Sequence, residues 1–314
     1  MADAYTNVAA ISNAITTAVD QAFAWNLRST PLFRNVIDKR PDDVPIPGNP
    51  VRMFFYSDIA VSTSTLDEED DPDAVALGNP TYVDIAPGEY GLHMKSSKLA
   101  RLTSFSGIES AIMEALKRNM VDTLDALVAA KLYAGTNRVT ANASDIDASP
   151  VAVNTLAATD LYNPKAARYV VAQLRANSVE TYDGEAYVAF IHPHASADFR
   201  TSTSTGAWLT PHQYASQGNI WKGEIGMFEG VRYIETPRAK VANDGASSAA
   251  AYRTAILGRD ALAEAVWEEP HSVIGDHLSP LKRSRSVGWT GVLGHEVYRQ
   301  AALYRVEHGS GYAA

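Results

Sequence analysis

The chain has 314 residues, 46% hydrophobic and 20% charged, with a formal net charge of −9 and no cysteine. These proportions describe a folded, soluble chain with apolar mass for one large or two ordinary domains. The acid excess excludes a strongly basic, sequence-independent DNA binder, and the missing thiols exclude disulfides, thiolate metal sites and cysteine nucleophiles.

The first residues, MADAYTNVAA, lack a basic region, and no apolar run approaches the ~18 residues a membrane helix needs. Neither a secretion signal nor a membrane span is expected. Within 8–27, Ile11, Ile15, Val19 and Phe23 fall four apart, the spacing of a short amphipathic helix that must dock elsewhere to bury its face. Thr30-Pro31 suits the start of another turn. The stretch KRPDDVPIPGNP then carries Pro41, Pro45, Pro47 and Pro50, which keep the backbone extended. An arm and an interdomain linker both fit that composition.

Val51–Val61 is β-branched and aromatic enough for a strand. After it come six acids, Asp67, Glu68, Glu69, Asp70, Asp71 and Asp73. Their spacing lacks the glycine and closing glutamate of a calcium loop. NPTYVDIAPGEYGLHMKSS reads as a returning strand that turns at Pro87-Gly88, so 51–95 describes a long hairpin with a charged tip.

Ser106–Gly135 is the axis of the chain. Ile108, Ile112, Leu116, Met120, Leu124 and Val128 recur at four-residue steps, the apolar stripe of an amphipathic helix. Ser106 and Glu109 make a capping box, Gly135 occupies a C′ position, and Glu114 faces Lys117 and Arg118 on the solvated side. A helix over 106–134 would be a rod of about 43 Å.

A small, polar stretch near 140–155 marks a boundary. Beyond it, Pro164–Asn177 has helical spacing, with Asn177 at its end. Ala186–Ile191 reads as a buried strand that leads into a turn and a short helix. Residues 223–237 form a hairpin turning at Glu229-Gly230, and Tyr252–Gly258 is another apolar strand. ALAEAVWEEP either pairs or coils beside it. The alternation makes 146–268 an α/β unit within a mixed α+β chain. The period of Glu296–Glu307 fits helix and strand alike.

Catalytic constellations are faint. His192-Pro-His194 with Asp198 would set two imidazoles and a carboxylate at a strand end, as a metal site does, but no third ligand follows at a recognisable spacing. Gly288, Gly291 and Gly294 match no phosphate loop, and Gly309-Ser-Gly311 lacks the strand–elbow–helix context of a hydrolase. Lys282, Arg283 and Arg285 form a short basic run suited to a solvated loop or an interface.

The order of these elements, with PGNPVRMFFYSDIAVSTSTLDEEDD, EYGLHMKSSKLARLTSFSG, GEIGMFEGVRYIETPRA, YRTAILGRDALAEAV and SPLKRSRSVGWTGVLGHEVYRQAALYRVE, resembles the major capsid proteins of tailed bacteriophages with the HK97 fold. More narrowly, it resembles the N4 gp56-like major capsid family, although Thr290 stands where that family leads one to expect lysine. The resemblance spans about 25–308. It implies an HK97-like capsid fold with an N-terminal arm (1–50), an extended β-hairpin loop (51–95), a peripheral domain on the spine helix (96–145), an α/β axial domain (146–268) and a peripheral return segment (269–314).

It further implies a shell subunit, not an enzyme, without cofactor or metal. That subunit would assemble as hexamers and pentamers in the host bacterial cytoplasm, into a virion head facing packaged double-stranded DNA without binding it tightly. A separate scaffolding protein, or the short N-terminal helix in its place, comes with it, together with a portal and room for a decoration protein, and no membrane does. Asp67, Glu68, Glu69, Asp70, Asp71 and Asp73 are candidates for an inter-subunit contact with cations. The two candidate sets are Lys95, Lys98 and Arg101, or Lys282, Arg283 and Arg285. An encapsulin-type cargo shell, and an enzyme using His192, His194 and Asp198, are the alternatives.

Overall fold

The computed structural model describes residues 33–37, 50–56, 59, 61–63, 65, 74–104, 108–142, 145–147, 153–182, 184–201, 224–275 and 283–312. A 3₁₀ turn at Phe33–Val36 precedes β1 (Val51–Phe55), β2 (Thr81–Ile85) and β3 (Gly88–Ser97). Helices α1 (Lys98–Thr103) and α2 (Ile108–Leu132) follow, then β4 (Arg138–Asn142) and β5 (Asp145–Asp147). Next come α3 (Pro164–Ala176), β6 (Tyr187–Ile191), α4 (Pro193–Thr201), β7 (Glu224–Phe228), β8 (Val231–Glu235) and β9 (Val241–Ala242). The described chain closes with β10 (Ala251–Leu257), β11 (Leu262–Gly275), β12 (Ser284–Val297) and β13 (Leu303–His308).

Three sheets organise these elements. β1 and β2 form an antiparallel ribbon with Val51 opposite Ile85 and Phe55 opposite Thr81. A mixed sheet runs β5-β4-β13-β10-β6-β8-β7, with β9 beside β10. Its β13–β4 and β6–β8 pairs are parallel and its other pairs antiparallel. β11, β12 and β3 make a three-stranded antiparallel sheet.

The spine helix α2 has the face expected from its period. Ile112, Leu116, Leu124, Val128 and Leu132 are buried, and Glu114 pairs with Arg118 at 2.5 Å. Ile112 and Leu116 join Ala100, Val287 and Trp289 in a small core between helix and three-stranded sheet. The Trp289 indole donates to Asn119 Oδ1 at 3.2 Å across it. Gly135 does not act as a left-handed cap. The helix ends at Leu132, and Gly135 is absent from the positive-φ residues. A Cβ at Gly135 would lie 2.8 Å from Leu303 Cδ2, so close approach to β13 explains the glycine. The capping-box serine, Ser106, lies outside the described residues.

The mixed sheet holds the main core. All five residues of β6 and all seven of β10 are buried, as strands covered on both faces should be, with Arg253 and Thr254 the polar members of β10. α3 begins with Asn163 accepting from the Ala166 N–H at 2.9 Å and with Pro164 in its first turn, the start signals of a capped helix. Glu229 and Gly230 both adopt positive φ, 52° and 79°, as a two-residue β7–β8 turn requires. The ambiguous tail resolves into strand, 3₁₀ turn and strand: β12 to Val297, Gln300–Ala302, then β13. ALAEAVWEEP pairs, as the first part of β11.

Candidate inter-subunit surface

The β1–β2 ribbon is anchored along one side, at Ile85 and at Tyr298, whose ring lies 5.5 Å from Phe55 and whose hydroxyl donates to the Phe54 carbonyl at 3.4 Å. Ile85 is fully buried with Ala263 and Ala265, and Val51, Met53, Trp267 and Tyr298 pack around them. Gly294 of β12 admits this approach, because a Cβ there would stand 2.3 Å from the Ala86 carbonyl oxygen. Beyond the anchor the side chains turn outward. Phe54, Tyr56, Ile59, Val61, Val75, Leu77 and Tyr82 are all more than half exposed, Val61 reaching 87%. Isolated exposed apolar residues are ordinary, but a run of this size on one excursion marks an interaction surface.

The ribbon is held in shape locally. Arg52 donates twice to Asp84, at 2.7 and 2.8 Å, and lies 3.9 Å above the Tyr82 ring. The hydrogen bond with Asp84 raises the arginine above its ordinary value, and the reciprocal bond from Arg52 lowers the aspartate.

The opposite end of the three-stranded sheet is basic. Ser284 pairs with Ser97, Arg285 with Ser96 and Ser286 with Lys95. Lys98 N–H donates to the Arg283 carbonyl at 2.7 Å. The two cation sets that the sequence offered as alternatives, Lys95, Lys98 and Arg101 on one side and Arg283 and Arg285 on the other, therefore occupy one corner. Helix α1 sits on that corner, capped by Ser97, whose Oγ accepts from Ala100 N–H at 3.1 Å. Lys282 and the acids Asp67, Glu68, Glu69, Asp70, Asp71 and Asp73 lie outside the described residues.

The histidine cluster has a structural explanation. The Nδ1 of His192 accepts from the His194 N–H at 3.2 Å, at the start of α4, and the His194 ring bonds the Tyr252 hydroxyl at 2.9 Å. Burial, with the neighbouring His194, lowers His192 to about 4, which suits a nitrogen used as an acceptor. Asp198 serves the chain's other end: it accepts from Ser310 Oγ at 2.6 Å and Gly311 N–H at 3.1 Å. Among the described residues no group of three or more His, Cys, Asp or Glu side chains is placed to hold a metal ion, and no helix is long and apolar enough to cross a membrane.

Sequence reasoning missed two buried charge clusters. Glu264, with a fully buried side chain, takes Arg34 Nε at 2.8 Å and His295 Nε2 at 3.2 Å. Glu307, equally buried, lies 3.0 Å from Arg305, 3.5 Å from Arg253 and 3.8 Å from Arg138. Their members are up to 230 residues apart, and the alternation of β13 alone gave no sign that Glu307 points inward.

Comparison with known proteins agrees with this architecture. A family model described as phage capsid protein matches residues 92–280, more than half of the chain. No curated protein matches the sequence. Among solved structures, the capsid of the cyanophage P-SCSP1u is similar with a TM-score of 0.69 at 14% identity, over 94% of this chain and 93% of that one. The capsid of Ralstonia phage GP4 gives 0.69 at 16% identity over 94% and 95%. The cyanophage Pam1 capsid asymmetric unit gives 0.68 at 16% over 88% and 89%. The mixed α+β fold is thus that of HK97-like capsid shells. Neither the cargo-compartment nor the metal-enzyme alternative is favoured by these matches. The chain belongs to the phage capsid protein family: it is a major capsid protein of a tailed phage, a structural subunit of the virion shell and not an enzyme.

Proposed function

We propose that this shell subunit belongs to the N4 gp56-like branch and builds hexamers and pentamers by laying its extended loop, 51–95, over a neighbouring copy. The observation that carries this is the ribbon itself, packed on the body at Ile85 and exposing Phe54, Tyr56, Ile59, Val61, Val75, Leu77 and Tyr82. In this reading residues 1–50 reach another subunit as an arm. Residues 146–268 meet their copies around the axes, and residues 96–145 and 269–314 form the peripheral body. The last segment also contributes β13 to the mixed sheet, which ties the two regions into one body.

The acids from Asp67 to Asp73 act as an inter-subunit contact with cations that include Lys282, Arg283 and Arg285. Assembly proceeds in the host cytoplasm with a separate scaffolding protein and a portal, and leaves room for a decoration protein. The enclosed DNA is faced without tight binding, consistent with a net charge of −9. Negative-stain microscopy of the chain expressed with its candidate scaffolding protein tests the reading. Uniform particles are expected, and Phe54→Ser with Val61→Ser should abolish them while the far-UV circular dichroism of the subunit is unchanged. Stable monomers at high concentration with scaffolding protein present would sink it.

A further inference from the structure

We infer that the 3₁₀ turn at Phe33–Val36 and the root of the β1–β2 ribbon are coupled within one chain, through a two-strand patch that carries one of them on each face. The patch consists of Ala263, Glu264 and Ala265 on β11 with Gly294 and His295 on β12. Loosening the turn loosens the ribbon, and the reverse.

Strand register builds the patch. Glu264 lies opposite His295, and Ala265 opposite Gly294. Alternation along β11 sends Ala263 and Ala265 to one face and Glu264 to the other, and residues directly opposite each other share a face. On the first face Ala263 and Ala265, both fully buried, pack on Ile85 of the ribbon. Gly294 lies there against Ala86, the residue after β2, where a Cβ would stand 2.3 Å from the Ala86 carbonyl oxygen. On the second face Glu264 takes Arg34 Nε at 2.8 Å and His295 Nε2 at 3.2 Å. One layer of backbone therefore separates the ribbon's seat from the turn's.

The two faces decide how a displacement travels. The ribbon side is two alanines and a glycine, which have no rotamers with which to absorb a shift of the backbone. Close-packed contacts of that kind pass strain on. The turn side is a buried carboxylate, which cannot stay in place once a charged partner leaves it. When Arg34 withdraws, Glu264 must readjust, and the strand that carries it is also the ribbon's floor. The turn has other holds: Asp125 accepts from the Phe33 and Arg34 N–H groups, and Tyr182 donates to the Val36 carbonyl. Of these holds, the Arg34 side-chain bond is the one that ends on the patch.

Whatever holds or releases the turn thus sets how firmly the ribbon is seated, and linkage makes the effect reciprocal. The relay needs no neighbouring copy. It is measured on the unassembled subunit, so its failure would leave the loop-over-neighbour reading untouched.

Hydrogen exchange of the full-length chain at short labelling times reads both ends. Amides of β1 and β2 report the ribbon, those of Phe33 and Arg34 report the turn, and the edge strand β7 of the mixed sheet serves as reference. Arg34→Ala is expected to speed ribbon exchange about tenfold and leave β7 unchanged. Arg34→Lys, which keeps a cation for Glu264, should recover most of that change. Ile85→Ala, or Ile85→Val if the alanine variant does not fold, should in turn speed the Phe33 and Arg34 amides. Tyr182→Phe releases Val36, closer to β1 in sequence, without touching the patch, and should leave the ribbon at its wild-type rate. Wild-type ribbon exchange in Arg34→Ala overturns the coupling. Equal acceleration of the ribbon and β7 also overturns it, because that marks general destabilisation. An equal ribbon effect from Tyr182→Phe does so too, because it traces the link along the connecting chain and not through the patch. If Arg34→Ala does not fold, Arg34→Gln is read against the same three outcomes.

Discussion

Arg34 and Glu264, 230 residues apart, meet through a 2.8 Å bond from Nε to Oε1, and this contact fixes the root of the N-terminal segment. Asp125 of the spine accepts from the Phe33 N–H at 2.8 Å and the Arg34 N–H at 3.3 Å. The Phe33 ring packs 4.7 Å from Phe190 in the mixed sheet, and Tyr182 donates to the Val36 carbonyl at 2.9 Å. One short turn thus ties spine, mixed sheet and three-stranded sheet together. Arg34→Ala strips Glu264 of a cation while leaving it buried, and should cost about 2 kcal/mol of unfolding free energy in urea, since Arg34 keeps some solvent access.

The same carboxylate predicts an acid response. Burial raises Glu264, and the hydrogen bonds from His295 and Arg34 more than reverse this, leaving it below its ordinary 4.5. A group lowered in the folded state stabilises above its unfolded value and loses that contribution as pH falls. Glu264→Gln should therefore be less stable than wild type at pH 7 and show a flatter loss below about pH 4.5. Parallel acid limbs for the two proteins in urea titrations would contradict this.

His308 gives a second, separate pH window. It is fully buried between Thr254, which bonds its Nε2 at 2.9 Å, and the Gly309 carbonyl, bonded to Nδ1 at 2.8 Å. Burial is the main cause that lowers it from 6.5 to about 4. Between those values the unfolded chain binds a proton that the folded chain does not. Stability is then complete above about pH 6.5 and falls toward pH 4, by about 3 kcal/mol for this residue. His308→Gln should flatten that slope even if it is less stable at neutral pH, as read from urea midpoints at pH 5 and 7.

Gly294→Ala should separate folding from assembly. The new methyl would meet the Ala86 carbonyl oxygen at 2.3 Å and Ile85 Cγ2 at 2.9 Å, so either β2 or β12 must move. Overpacking of this kind costs about 1–3 kcal/mol. The mixed sheet is remote from the clash and should survive, while the ribbon loses its seat. Native near-ultraviolet circular dichroism with loss of particles is the expected pair of results, and wild-type particle yield would refute the seating argument.

Legibility in the sequence followed the range of the interactions. The spine was readable because Ile112, Leu116, Leu124 and Val128 repeat a local period, and the Glu229-Gly230 turn because positive φ restricts residue choice. Gly135 misled: a glycine after a helix suggests a left-handed cap, yet here the constraint is the distance to Leu303, which no local pattern contains. The joining of Lys98 to Arg283 depends on β3–β12 register, 185 residues distant in the chain, and the sequence left those cations as two rival groups. Asp198 was readable only as a member of the alternative metal set, and its structural role was not, because its partners Ser310 and Gly311 lie beyond any motif window.

That reassignment makes the last prediction. If His192, His194 and Asp198 formed a metal centre, removing any of the three would have the same consequence. The geometry assigns them different work. His192 and His194 pack edge-to-face at 4.8 Å and lie against Tyr252 at 5.0 and 5.9 Å, partly open to solvent, so His192→Ala with His194→Ala should cost little and leave particle assembly intact. Asp198 is buried and takes both the Ser310 hydroxyl and the Gly311 N–H. Asp198→Ala leaves those donors without their acceptor, at about 2 kcal/mol, and frees the tail that closes over α4. Asp198→Asn, which keeps an acceptor oxygen, should recover part of the loss. Carboxypeptidase trimming past Tyr312 should accelerate in the alanine variant and not in the double-histidine variant. Equal trimming and equal destabilisation of the two would return the three residues to a single site, and bound metal lost from both would name it.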